Sequence, residues 1–258
     1  MNIVAFDLEV ADWPEGDQEP DHSALGITCA ATAVYDDHFG EIAGGRVWHT
    51  AIIDRFCDKA MWPARMTPPE CCRLTDWLAG YREVGFQIVT WNGNFDFQVL
   101  GHECKDPKYF AICQRLAWDM YDPMFQFLTM YGYPVGLDKV AQGMSIGSKE
   151  GMTGADAPKM WKESPEAQEK VLKYVMGDAR LTAQIFRAVE KSGQMCRITT
   201  TGNLRCAPFP KLLTVRECME FPQETTPWWK DNPFAPGRKD RDSFVRWLQE
   251  KEPVDGYV

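Results

Sequence analysis

The sequence predicts an α/β domain. Two stretches carry that reading: a nearly continuous apolar run at residues 2–10, and an amphipathic segment at residues 165–191 that is the longest helical pattern in the chain. Between them, short strand-like and helix-like segments alternate, with turn residues at the joints.

The apolar run holds Ile3, Val4, Ala5, Phe6, Leu8 and Val10, a pattern suited to a strand buried on both faces of a sheet. Residues 27–35 and 42–49 read as two further strands separated by the polar turn Asp-Asp-His-Phe-Gly, so an antiparallel meander is expected to open the domain. Thr67-Pro68-Pro69-Glu70 has the form of a capping box and predicts a helix to about Glu83. A short strand follows over residues 86–91. Asn92-Gly93-Asn94 then turns the chain into a helix over 95–103. Asp122-Pro123 opens a helix ending near Gly132, and residues 137–144 make another short one. Ser164-Pro165 starts the long helix, which runs to about Lys191 and stops at Gly193. Residues 195–208 alternate around Thr201-Gly202-Asn203 as a β-hairpin. The remainder is rich in Pro, Trp and Arg, including Trp228, Trp229, Phe234, Phe244 and Trp247.

The formal net charge of −9 argues against broad phosphate neutralisation, though not against meeting phosphate through divalent cations. Part of the excess is Asp12, Glu15, Asp17, Glu19 and Asp21, which read as a solvated acidic loop. The nine cysteines include Cys57, Cys196 and Cys206; their odd number and the absence of Cys-x-x-Cys predict reduced, mostly buried thiols. His102 and Cys104 match no familiar zinc spacing. With no basic start or cleavage site at the N-terminus and no long apolar run, a cytoplasmic location is the default expectation.

Four acids stand where acids are costly. Asp7 and Glu9 are two apart on the first strand and so share a face; burial there requires compensation, which a divalent cation supplies. A strand end emerging into solvent would account for this pair equally well. Asp96 falls in the first turn of its helix, where the helix dipole favours a carboxylate. On the long helix, Ala167, Val171, Tyr174, Val175, Asp178, Leu181, Ile185 and Val189 fall on one side, and Glu166, Glu169, Lys173, Arg180, Gln184 and Arg187 on the other. Asp178 therefore sits inside the apolar stripe, one turn from Tyr174, and needs a metal or a Lys or Arg partner.

The segments Phe6-Asp7-Leu8-Glu9, Asn92-Gly93-Asn94-Phe95-Asp96 and Tyr174-Val175-Met176-Gly177-Asp178 resemble, in order and separation, the three exonuclease motifs of the DEDD superfamily. The tyrosine in the third resembles the DEDDy branch, which includes the proofreading domains of family A and B DNA polymerases and RNase D-like enzymes. The second is nearer the family B form. Val10 departs from the threonine that many members carry after the glutamate. The resemblance covers about residues 1–191. It implies an RNase H-like fold, a mixed sheet with helices on its faces, for residues 1–193. Residues 194–258 are left as a hairpin and extension docked on the domain or on a partner.

The resemblance also implies a chemistry: a metal-dependent 3′–5′ exonuclease releasing nucleoside 5′-monophosphates from single-stranded DNA or RNA. Two Mg²⁺ or Mn²⁺ ions would be held by Asp7, Glu9, Asp96 and Asp178, clamping the attacking and leaving oxygens. Tyr174 would orient the attacking water; its alternative is core packing. Asn92 and Phe95 are candidates for contacting the terminal nucleotide, with a helix staple as the alternative for Phe95. Lys149, in a Gly/Ser-rich loop, reads as a solvated lysine rather than a phosphate ligand. Arg238, Lys239, Arg241 and Arg246, mixed with aromatics, fit either strand binding or docking, and docking is the expectation. No polymerase motifs fit in the rest of the chain, so a stand-alone enzyme is expected, linked to any polymerase only in trans. The rival is an RNase H-like scaffold that keeps its acids but binds a partner without cutting.

Overall fold

The computed structural model of the chain describes residues 1–14, 20–37, 40–42, 45–50, 62–149, 151–221 and 241–249. Glu15, Asp17, Glu19, Cys57, Trp228, Trp229, Phe234, Arg238 and Lys239 lie outside them, as do positions 38, 39, 43 and 44 of the expected turn and third strand.

The expected meander is present. β1 (Ile3–Val10) pairs antiparallel with β2 (Ile27–Asp36), which in turn pairs antiparallel with β3 (Gly40–Glu41) and β4 (Arg46–Trp48). α1 (Pro68–Glu83) then carries the chain across, and β5 (Gln87–Val89) joins the other edge of β1 in parallel. The product is a mixed five-stranded sheet. β1 and β2 are buried almost throughout because helices cover both faces.

Strand alternation divides the core in two. Val4, Phe6, Leu8 and Val10 face α1, α2 (Gly93–Glu103) and α3 (Pro107–Asp119). Phe6 and Phe97, with ring centroids 5.2 Å apart, are fully buried, each worth about 1.5–3 kcal/mol. Ile3 and Ala5 face the other layer, made of α5 (Leu137–Gly143), α6 (Ala157–Trp161) and α7 (Pro165–Ser192). α4 (Pro123–Tyr131) gives Phe125 and Leu128 to the first core and Met124 and Phe127 to the second, so it closes the sheet edge.

Cap chemistry sets several helix limits. Ser164 accepts the Ala167 N–H at 3.1 Å to start α7, and Gly193, at φ 64°, ends it. At α1 the capping box does not form: Thr67 makes no side-chain cap, and Glu70 pairs with Arg73 instead. The complete box belongs to Thr214 and Glu217 at α8 (Val215–Glu220). The hairpin is β6 (Gln194–Ile198) with β7 (Leu204–Pro208).

Its register overturns one expectation. Cys196 and Cys206 stand directly opposite, their Cα atoms 3.9 Å apart, and are joined by a disulfide. Both strands count outward from the same turn, which brings the two thiols together. Cys29, Cys71, Cys72, Cys104, Cys113 and Cys218 are free and mostly buried. His102 packs on Phe110 and Cys104 lies against Thr75, and the two belong to no metal-ligand group among the described residues.

α9 (Arg241–Val245) and the 3-10 turn Arg246–Gln249 lie on the first core. Trp247 meets Phe110, and Arg241 donates to the carbonyls of Cys218 and Phe221, so Arg241 is a buried anchor. Among the described residues, no helix is long and apolar enough to cross a membrane.

Candidate active site

The alternation that splits the core also builds the site. Asp7 and Glu9 continue the Ile3 and Ala5 face of β1, so both point at α7. There the apolar stripe is interrupted by Tyr174 and Asp178, both buried. Carboxylate oxygens of Asp7, Glu9 and Asp178 lie within 4.8 Å of one another. The solvated-end reading of the pair does not hold, since Glu9 is only 5% exposed and Val10 is buried beyond it.

Asp96 reaches the same cleft from α2 and is likewise buried. It lies outside the three-carboxylate group, although its charge bears on Asp7. The turn before it is locked from behind. Asp122 accepts the Gly93 N–H at 2.9 Å and caps α4 through the Phe125 N–H at 3.0 Å. Gly93 packs so closely on Thr90 that a Cβ there would stand 2.1 Å from the threonine hydroxyl. Asn92 adopts the left-handed conformation at φ 68° with no side-chain cap, and its buried Oδ1 has no partner among the described residues. Asn94, also buried, leaves both side-chain polar atoms unpaired among those residues.

All seven residues expected from the sequence (Asp7, Glu9, Asn92, Phe95, Asp96, Tyr174 and Asp178) line one cleft of about 300 Å³. Two further residues complete it. Lys149 is not a free solvated lysine: its ammonium, half-buried, pairs with Asp178 and lies 2.9 Å from the Tyr174 hydroxyl. Its backbone N–H is held by Asp138 at 2.9 Å, which fixes the loop. Asp178 thus has the lysine partner that its place on the apolar face called for. Trp13, just after β1, is 48% exposed on the cleft rim, with its ring centroid 6.0 Å from that of Phe95. A solitary tryptophan beside an acidic turn carries no periodic signal, although an exposed indole so close to Asp7 and Glu9 was the available clue.

The electrostatics are those of an under-neutralised anionic site. Burial, then the charges of Asp178, Asp96 and Glu9, push the Asp7 carboxyl well above its ordinary range. Glu9 is raised by burial and then by Asp178. Asp96 is raised by burial and by Asp122, with backbone N–H groups opposing. Asp178 is raised by burial despite Lys149. Burial pulls the Lys149 ammonium down, but Asp178 overrides it and the lysine stays protonated. Among the described residues one ammonium faces four carboxylates, so full ionisation requires more positive charge than these residues bring. The donor set, all hard oxygen from convergent carboxylates, fits Mg²⁺ or Mn²⁺.

No protein-family model matches the chain, and no curated protein matches it.

Proposed function

We propose that the protein is a metal-dependent 3′–5′ exonuclease of the DEDDy type on an RNase H-like fold. The single observation that carries this is the convergence of the three resembling motifs, 171 residues apart from Asp7 to Asp178, into one cleft, with the carboxylates of Asp7, Glu9 and Asp178 side by side and Asp96 on the same cleft wall. The antiparallel strands β1 to β4, the parallel β5 that joins them and the helices on both faces support the fold assignment.

Asp7, Glu9 and Asp178 would hold a divalent cation, with Asp96 in the same cleft, and such a cation would supply Lewis acidity toward a phosphodiester. The chain's own groups do the rest. Tyr174 presents its hydroxyl at the cleft, beside the Lys149 ammonium, where it can hydrogen-bond a water. Burial, the larger cause, and the Asp178 charge raise its pKa, so the phenol stays protonated and acts by orientation rather than as a base. Phe95 and Trp13 offer aromatic faces to a terminal base, and Asn92 lines the cleft beside Phe95.

The test is digestion of a 5′-labelled single-stranded DNA and of a matching RNA with Mg²⁺, Mn²⁺ or EDTA. Shortening from the 3′ end, abolished by EDTA and reduced about 10²–10³-fold or more in Asp7→Ala and Asp178→Ala, is expected. The Lys149–Asp178 pair favours one rival, a scaffold whose acids are already partly neutralised. Calorimetry detecting no Mn²⁺ binding, together with uncut substrates, would establish that rival instead.

A further inference from the structure

A second hollow, a groove of about 490 Å³, meets the acidic cleft at Lys149, Tyr174 and Asp178. From there it follows the α7 stripe Lys170, Lys173, Gly177, Leu181 and Gln184. These positions recur every three or four residues and so form one line; the fourteen steps from Lys170 to Gln184 cover about 21 Å.

Three features show what the groove suits. Its charge runs against that of the chain: Lys149, Lys170, Lys173 and Arg180 line it, with Asp178 the one carboxylate among the described residues lining it, in a protein of net charge −9. Lys149 is held by Asp178 and Arg180 by a bidentate contact to Glu41, whereas Lys170 and Lys173 are exposed and form no ion pair among the described residues. Its walls are apolar and adaptable, with Met152, Met160 and the partly exposed Leu181. Gly177 is the third. It stands mid-helix, where glycine is unfavourable, yet a Cβ there would meet nothing within 4 Å. No packing among the described residues requires the glycine, and the bare backbone it leaves lines the groove, open to close approach.

We infer that this groove holds the segment of single strand preceding the scissile phosphate, with Lys170 and Lys173 on its phosphates and Met152, Met160 and Leu181 against its bases and sugars. The inference rests on the exonuclease reading and adds the direction in which the substrate leaves the cleft, along α7. An acidic peptide would satisfy the same lysines, but continuity with the carboxylate cluster favours a strand whose 3′ end must reach it.

The test is fluorescence anisotropy of fluorescein-labelled oligothymidylates, a dinucleotide and an octanucleotide, in Ca²⁺ buffer over a series of salt concentrations. For the wild-type protein the octanucleotide binds more tightly than the dinucleotide. Lys170→Gln/Lys173→Gln is expected to erase most of that difference, about tenfold at low salt, and to flatten the salt slope by about 1–2. Gly177→Leu is expected to weaken the octanucleotide while melting no lower than wild type. Wild-type affinity and salt slope in the lysine variant overturn the inference and leave the exonuclease reading standing. Tighter binding of polyglutamate than of the octanucleotide overturns it in favour of a protein partner. A wild-type protein that neither binds nor shortens any strand overturns both.

Discussion

At the scale of single residues, Lys149 and Trp13 give the sharpest expectations. Among the described residues the Lys149 ammonium is the one cation pairing with a carboxylate of the cluster, so Lys149→Met leaves Asp178 buried without that counter-charge. Breaking such a pair is expected to lower stability by about 1–3 kcal/mol, less than a fully enclosed pair because the lysine keeps some contact with water. Thermal melts in EDTA should show the loss, and saturating Mn²⁺ should shrink it; a deficit of the same size with and without Mn²⁺ would separate the lysine from the metal site. Trp13→Ala should weaken single-strand binding by about 1–3 kcal/mol, the worth of one stacked base, while Trp13→Phe keeps most of it. Removing the terminal base from the oligonucleotide should abolish the difference between Trp13→Ala and wild type. Asp7, Glu9 and Asp178 were legible because each breaks a rule of its element, a carboxylate in an apolar strand or on an apolar helix face, whereas Asp96 and Tyr174 stood out only through the motif resemblance. Lys149 and Trp13 break no such rule, since a loop lysine and a lone aromatic are ordinary in sequence.

At the scale of elements, the order β1, β2, α1, β5, α2 and the long α7 followed from periodicity and punctuation. α3 passed unread although Asp106-Pro107 repeats the Asp-Pro start recognised at α4, with Asp106 accepting the Lys108 N–H at 2.9 Å. α6 and α8, of five and six residues, are too short to show a helical period. The turn into α2 depends most on packing. Gly93→Ala would drive a methyl group into Thr90, which is fully buried, and disturb the Asp122 hold on the turn. Overpacking of this kind is expected to destabilise by about 1–3 kcal/mol and to displace Asp96. The readouts are a melting temperature lowered by about 2–4 °C per kcal/mol and a weaker Mn²⁺ titration. An unchanged Mn²⁺ affinity would separate Asp96 from the metal site.

At the scale of the whole molecule, the acidic cleft makes stability depend on pH in a defined direction. Asp7, Glu9, Asp96 and Asp178 all have raised carboxyl pKa values, and Asp122, buried behind them, is raised to about 6. Such groups hold protons more tightly in the folded than in the unfolded chain. Their contribution is therefore fully present below about pH 4 and is lost as pH rises through the folded values. In EDTA the melting temperature is expected to be higher at pH 5.5 than at pH 7.5, and Mn²⁺ to raise it more at the higher pH. A melting temperature that rises across that interval in EDTA would contradict the electrostatic description of the cleft.

The sequence by itself determined the α/β class, the opening meander, the long helix and the misplaced acids Asp7, Glu9 and Asp178, because periodicity and misplaced charge are local and survive without coordinates. Asn92, Phe95, Asp96 and Tyr174 were singled out through the motif resemblance. Tertiary structure alone decided the partner of Asp178, the lock of Asp122 on the Gly93 turn, the Cys196–Cys206 disulfide and the cationic groove along α7. Each of these depends on which side chains from distant stretches come within a few ångströms, and side-chain contacts across the fold leave no period in the chain.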